Sequence, residues 1–136
     1  MNASVTWERG WNFTATADRG FRLLLGEPDE AGVGELAFSP IELLLVGLAG
    51  CTGIDVIAML GKKRQAVTGF QVQVRAERAT SHPKRFTEIA LRYIVEGENI
   101  DPDAVERAIE LSQTKYCSAT ATLTRGVPIR TTYEIR

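Results

Sequence analysis

The 136-residue chain is long enough for one domain with a core of its own, and 16 Lys and Arg against 17 Asp and Glu leave it almost uncharged. No basic stripe interleaved with aromatic residues is present, which speaks against a nucleic-acid partner. Two cysteines and a single histidine, His82, provide neither a disulfide scaffold nor a zinc spacing, so one domain over residues 1–136 with no metal and no cofactor is expected.

In chain order, Val5 and Trp7, then Trp11, Phe13 and Ala15, then Phe21, Leu23 and Leu25 alternate with polar or small neighbours, predicting three short strands. Gly10 and the Asp18-Arg19-Gly20 run mark the turns between them. Residues 26–38, punctuated by Pro28, Gly32 and Gly34, read as an acidic loop that is expected to be mobile and to act as a rim or lid.

Residues 39–64, S-P-I-E-L-L-L-V-G-L-A-G-C-T-G-I-D-V-I-A-M-L-G-K-K-R, form the longest apolar run. Ser39 suits an N-cap, Pro40 the first helical position, and Glu42 can reach back to the Ser39 amide as a capping box does. Apolar residues on every face predict a central helix surrounded by protein. Glu42, Asp55 and three glycines argue against a bilayer span. The polar N-terminus M-N-A-S-V-T-W-E-R-G lacks the apolar region of a signal sequence, so a cytoplasmic location is expected. Gly47, Gly50 and Gly53 each cost a helix about 1 kcal/mol relative to Ala, so they imply either close packing or room for a substrate beside Cys51.

Strands follow around Phe70–Ala76 and Ile89–Val95, joined by a loop in which His82 reads as a solvated turn residue. Asp101 and Pro102 open a second helix ending near Tyr116, with Val105, Ala108, Ile109 and Ser112 on one face and Glu106, Arg107, Glu110 and Gln113 on the other. Ser118 or Thr120 can cap a further short turn, and residues 127–135 alternate as a closing strand. The order of elements predicts an α+β fold with mostly antiparallel sheet.

Cys51 and Cys117 stand 66 positions apart, too far for a C-x-x-C motif. They are open to three readings: two unrelated buried thiols, a structural disulfide, which a reducing cytosol disfavours, or a reactive pair that meets in space. The segment S-P-I-E-L-L-L-V-G-L-A-G-C-T-G-I-D-V resembles the central-helix signature of the OsmC/Ohr superfamily, and K-Y-C-S resembles its second-cysteine motif. With H-P-K-R-F, D-P-D-A-V-E-R-A-I-E-L-S and the last strand, the likeness covers essentially the whole chain and points to the general OsmC-like, YhfA-like branch.

The resemblance implies an OsmC-like fold, with antiparallel sheets wrapped around a long buried central helix in an intertwined homodimer. It further implies a thiol-dependent peroxidase acting on organic hydroperoxides or hydrogen peroxide, with Cys51 as peroxidatic cysteine, Cys117 as resolving cysteine and a cellular dithiol as reductant. In the family an arginine held by a carboxylate activates the thiol. Arg19 is the match by position, Arg22 the competitor, and Glu42 the available carboxylate. One departure bears on that role, because the peroxidase branch places the carboxylate directly after the proline, where this chain has Ile41. Asp55, one helical turn after Cys51, would raise the thiol pKa if it faced the sulfur, and reads instead as a structural or hydrogen-bonding residue. A non-catalytic or weakly catalytic, stress-related small-molecule-binding protein on the same fold is the alternative. A cysteine hydrolase is disfavoured because only His82 could serve as its base.

Overall fold

The computed structural model describes residues 1–27 and 37–136, so the acidic segment predicted as a lid lies largely outside the described residues. The described chain groups into two compact units, Met1–Leu44 and Leu45–Arg136.

In the first unit, β1 (Ala3–Arg9), β2 (Asn12–Ala17) and β3 (Arg22–Leu25) form an antiparallel meander in that order. Its turns pass through Gly10 and Gly20, both with positive φ (54° and 78°), a region glycine enters without the Cβ clash that other residues meet. The long helix α1, Pro40–Lys62, begins here and continues into the second unit. Half of the predicted capping box forms: the Ser39 amide donates to Glu42 Oε2 at 3.2 Å, whereas the Ser39 hydroxyl donates to Glu27.

In the second unit, β4 (Ala66–Arg78), β5 (Phe86–Glu98) and β6 (Ile129–Ile135) form a sheet with β5 in the middle. The β4–β5 pair is antiparallel, as expected of a mostly antiparallel fold, whereas β6 runs parallel to β5 and makes this sheet mixed. The cause is the connection. A parallel neighbour needs a long crossover, and α2 (Pro102–Leu111), a π-helical turn (Ser112–Tyr116) and α3 (Ser118–Leu123) supply it. Asp101 caps α2 through the Asp103 amide at 3.0 Å, with Pro102 at the first position, as the sequence predicts.

Tyr93 and Tyr133 are register partners and therefore share one face of the sheet. Tyr93 bonds to Thr52 of α1 and Tyr133 to Glu106 of α2, so both helices cover that face. Ile89, Leu91, Tyr93 and Val95 of β5 are buried beneath them, with Leu48, Thr52, Val56 and Leu60 of α1 as a stripe at four-residue spacing.

The expectation of a wholly buried helix does not hold within one chain. Leu44, Val46, Ile54 and Ile57 are 49, 48, 70 and 39 % exposed, because a three-stranded sheet and one short helix cover only one side of α1. A helix of this length and apolarity could by composition cross a bilayer, but its buried stripe is spent on protein contacts. Of the three glycines, Gly53 alone lies against the sheet, where an added Cβ would sit 3.3 Å from Val72 Cγ2; Gly47 and Gly50 face open space among the described residues.

Candidate functional site

Cys51 occupies the middle of α1 and is half-buried; Cys117 is buried where the π-helical turn meets α3. Both are free thiols. Separated by 66 positions in sequence, they are neighbours in space, close enough for Cys51 to raise the Cys117 pKa. Burial pushes the Cys117 thiol above its ordinary pKa, against the opposing pull of neighbouring Thr120, whose amide donates to its sulfur, and Cys51 adds to the upward push. Cys117 also serves as the N-cap of α3, its Sγ accepting from the Thr120 amide at 3.4 Å, a position the sequence had suggested for Ser118 or Thr120.

Beside the two sulfurs runs a chain of buried polar side chains. Thr52, next to Cys51, lies 2.7 Å from the Tyr93 hydroxyl and 2.8 Å from the Ser112 hydroxyl. Ser112 donates to Asp55 Oδ2 at 3.0 Å. Gln113 Nε2 donates to both Thr52 Oγ1 and Tyr93 Oη at 3.0 Å, and Gln113 Oε1 accepts from Thr120 Oγ1 at 3.2 Å. Every member has a partner, which is what keeps polar groups tolerable at this depth. Burial raises the Tyr93 pKa, opposed by its hydrogen bonds to Thr52 and Gln113 and reinforced by the negative charges of Cys117 and Asp55.

The π-helical turn makes this convergence possible. Successive residues of an α-helix point about 100° apart, and Ser112 and Gln113 would then diverge. Here the chain widens by one residue, closed by the Cys117 amide on the Ser112 carbonyl at 2.8 Å, and both side chains reach Thr52. This corrects the placement of Gln113 on the outer face of the second helix. Asp55 accepts a hydrogen bond, consistent with its reading as a hydrogen-bonding residue.

Arg19 sits on the exposed turn between β2 and β3, and Arg22 opens β3, where it lines a cavity with Leu23, Leu24, Ala37 and Phe38. Glu42 is exposed in the first turn of α1 and engaged with the Ser39 amide; among the described residues no ion pair joins it to Arg19 or Arg22. His82 is exposed in the β4–β5 hairpin. Among the described residues no three His, Cys, Asp or Glu side chains gather as metal ligands. Sequence reasoning missed Thr52, Tyr93, Gln113 and Thr120 as members of one cluster; the one available signal was the polar pair Ser112-Gln113 at the end of an otherwise regular amphipathic helix.

A family profile described as OsmC-like protein matches residues 32–132. The protein YhfA of Escherichia coli K12 is 37 % identical over 135 residues, covering 99 % of this chain and 98 % of its own length. The crystal structure of a hypothetical protein from Aquifex aeolicus superimposes with a TM-score of 0.88 at 29 % identity, over 99 % of this chain and 95 % of that one. An organic hydroperoxide resistance protein OsmC from Legionella pneumophila shares the fold at a TM-score of 0.72 and 16 % identity, over 98 % of this chain and 95 % of that one.

Proposed function

Because the chain belongs to the OsmC-like protein family, which includes thiol peroxidases, we propose that it is a thiol-dependent peroxidase reducing organic hydroperoxides or hydrogen peroxide. The observation that carries this reading is the meeting of Cys51 and Cys117 in space. The Cys51 thiolate attacks the distal peroxide oxygen; the O–O bond breaks, the alkoxide takes up a proton and leaves as alcohol, and Cys51 becomes a sulfenic acid. Cys117 then attacks the Cys51 sulfur, an S–S bond replaces the S–O bond, and water departs with the Cys117 proton. A cellular dithiol reduces the disulfide by two thiol–disulfide exchanges and is itself oxidised.

The attacking thiolate needs a nearby cation, and in this proposal Arg19 supplies it, with Arg22 as competitor and Glu42 as the orienting carboxylate. The protein works as a cytoplasmic homodimer. Support for the dimer comes from the bare apolar surface of α1 at Val46, Ile54 and Ile57, and from exposed Val5, Trp7 and Phe21 in the first unit, too much apolar area for a lone chain to leave in water.

Mass spectrometry of the protein before and after one equivalent of organic hydroperoxide tests the chemistry. A Cys51–Cys117 disulfide is expected in the native chain, a Cys51 sulfenic acid in Cys117→Ser, and no peroxide turnover with dithiol in Cys51→Ser. No turnover and no disulfide in the native chain would instead leave a non-catalytic, small-molecule-binding protein on this fold, a reading favoured by the upward push on the Cys117 thiol.

A further inference from the structure

Among the described residues, Gln113 is the one side chain that hydrogen-bonds to side chains in both cysteine-bearing segments. Its Nε2 bonds to Thr52, the residue after Cys51, and its Oε1 accepts from Thr120, whose amide in turn donates to Cys117 Sγ. The direction of each bond follows from counting protons. Ser112 has a single hydroxyl proton and gives it to Asp55 Oδ2, so the 2.8 Å contact with Thr52 must use the Thr52 proton. With that proton committed, the 2.7 Å contact between Thr52 and Tyr93 must use the Tyr93 proton. Neither hydroxyl then has a proton left for Gln113, and a flipped amide would set Oε1 against two oxygens with nothing to donate. The Asp55 carboxylate therefore fixes the Gln113 amide with its NH₂ group toward α1 and β5 and its oxygen toward Thr120.

We propose that Gln113 is a positioning residue for disulfide formation: its amide is a strut that holds the Cys117 turn against the Cys51 helix. The step it serves rests on the peroxidase reading above, but the strut itself belongs to ring closure and not to peroxide attack. A disulfide forms only where the two Cα atoms come within about 4.4–6.8 Å of each other, so a turn free to swing away loses the reaction. A sulfenic acid left waiting is oxidised to sulfinic acid by a second peroxide molecule, which transfers an oxygen and leaves as alcohol. The groups that face Cys117 are Cys51 from α1, Tyr93 from β5 and the Thr120 hydroxyl from α3, with the Asp55 carboxylate at the far end of the hydroxyl chain.

Gln113→Met keeps the length of the side chain and removes its hydrogen bonds. In the Cys117→Ser background, dimedone trapping after organic hydroperoxide is expected to label Cys51 at the same rate with or without the Gln113→Met substitution. With Cys117 present, disulfide formation in Gln113→Met is expected to slow at least tenfold, with Cys51 sulfinic acid accumulating. Thr120→Val releases the other end of the strut and is expected to slow closure likewise, whereas Thr120→Ser, which keeps the hydroxyl, restores it. The same closure is measured with diamide, an azo oxidant that accepts two electrons and two protons from the thiol pair and needs no peroxide. Wild-type closure rates in both Gln113→Met and Thr120→Val overturn the strut. If the native chain closes with diamide in a Gln113-dependent manner but never reacts with peroxide, the strut stands and the peroxidase reading falls.

Discussion

Thr52 is the residue on which the buried polar cluster converges, since its one hydroxyl meets Tyr93, Ser112 and Gln113. Removing it by Thr52→Val keeps the shape of the side chain but strips partners from three groups at once. A buried polar group left unpaired costs about 1–3 kcal/mol, so Thr52→Val should lower stability by at least that range, read from the urea midpoint. Ser112→Ala, which unties only the links to Asp55 and Thr52, should cost less. The Asp101 cap and the Ser39-Pro40 helix start are legible in the sequence because each carries its meaning locally. The Thr52 cluster is not, because Thr, Ser, Gln and Tyr are ordinary residues until α1, β5 and the π-helical turn bring together positions 41 and 60 residues apart.

Among the elements, α1 is read correctly in its extent and start but not in its surroundings. An apolar residue on every face says that a helix must be covered; it does not say by which chain. Gly53 is explained by β4, where Val72 leaves little room for a Cβ, but Gly47 and Gly50 have no neighbour among the described residues. In the proposed homodimer they mark where a partner backbone approaches. Gly50→Leu is therefore expected to shift the sedimentation of the protein from dimer toward monomer while helical circular dichroism is retained; an unchanged dimer would place that face in water. The π-helical turn shows a different limit. Whether a carbonyl is taken by the fourth or the fifth residue onward depends on what the side chains can reach, and Gln113 finds its partners on other elements.

At the scale of the molecule, the order of strands and helices and the α+β class follow from periodicity, while the direction of β6 does not, because alternation looks the same in either direction. The raised pKa values of Cys117 and Tyr93 give stability a definite pH dependence. Burial favours the neutral form of each, so the folded chain keeps these protons to higher pH than the unfolded one. Their contribution is fully present below the unfolded values, about 8.5 for a thiol and about 10 for a phenol, and is lost as pH rises through the higher folded values. Urea midpoints measured from about pH 7 to 10.5 should therefore fall on the alkaline side. Tyr93→Phe should be less stable at neutral pH, having lost its bonds to Thr52 and Gln113, yet should show a shallower alkaline decline.

The five residues of the turn between α2 and Cys117 impose one further constraint, on chain length. A substitution at exposed Thr114, Lys115 or Tyr116 leaves the path of the backbone intact, but deleting any one of them would let α2 continue in ordinary α-helical register. The Cys117 amide would still close on the Ser112 carbonyl, now as the fourth residue onward, but the widening that lets Ser112 and Gln113 both reach Thr52 would be gone. What this segment stores is a count: it tolerates a change of spelling and forbids the loss of a letter.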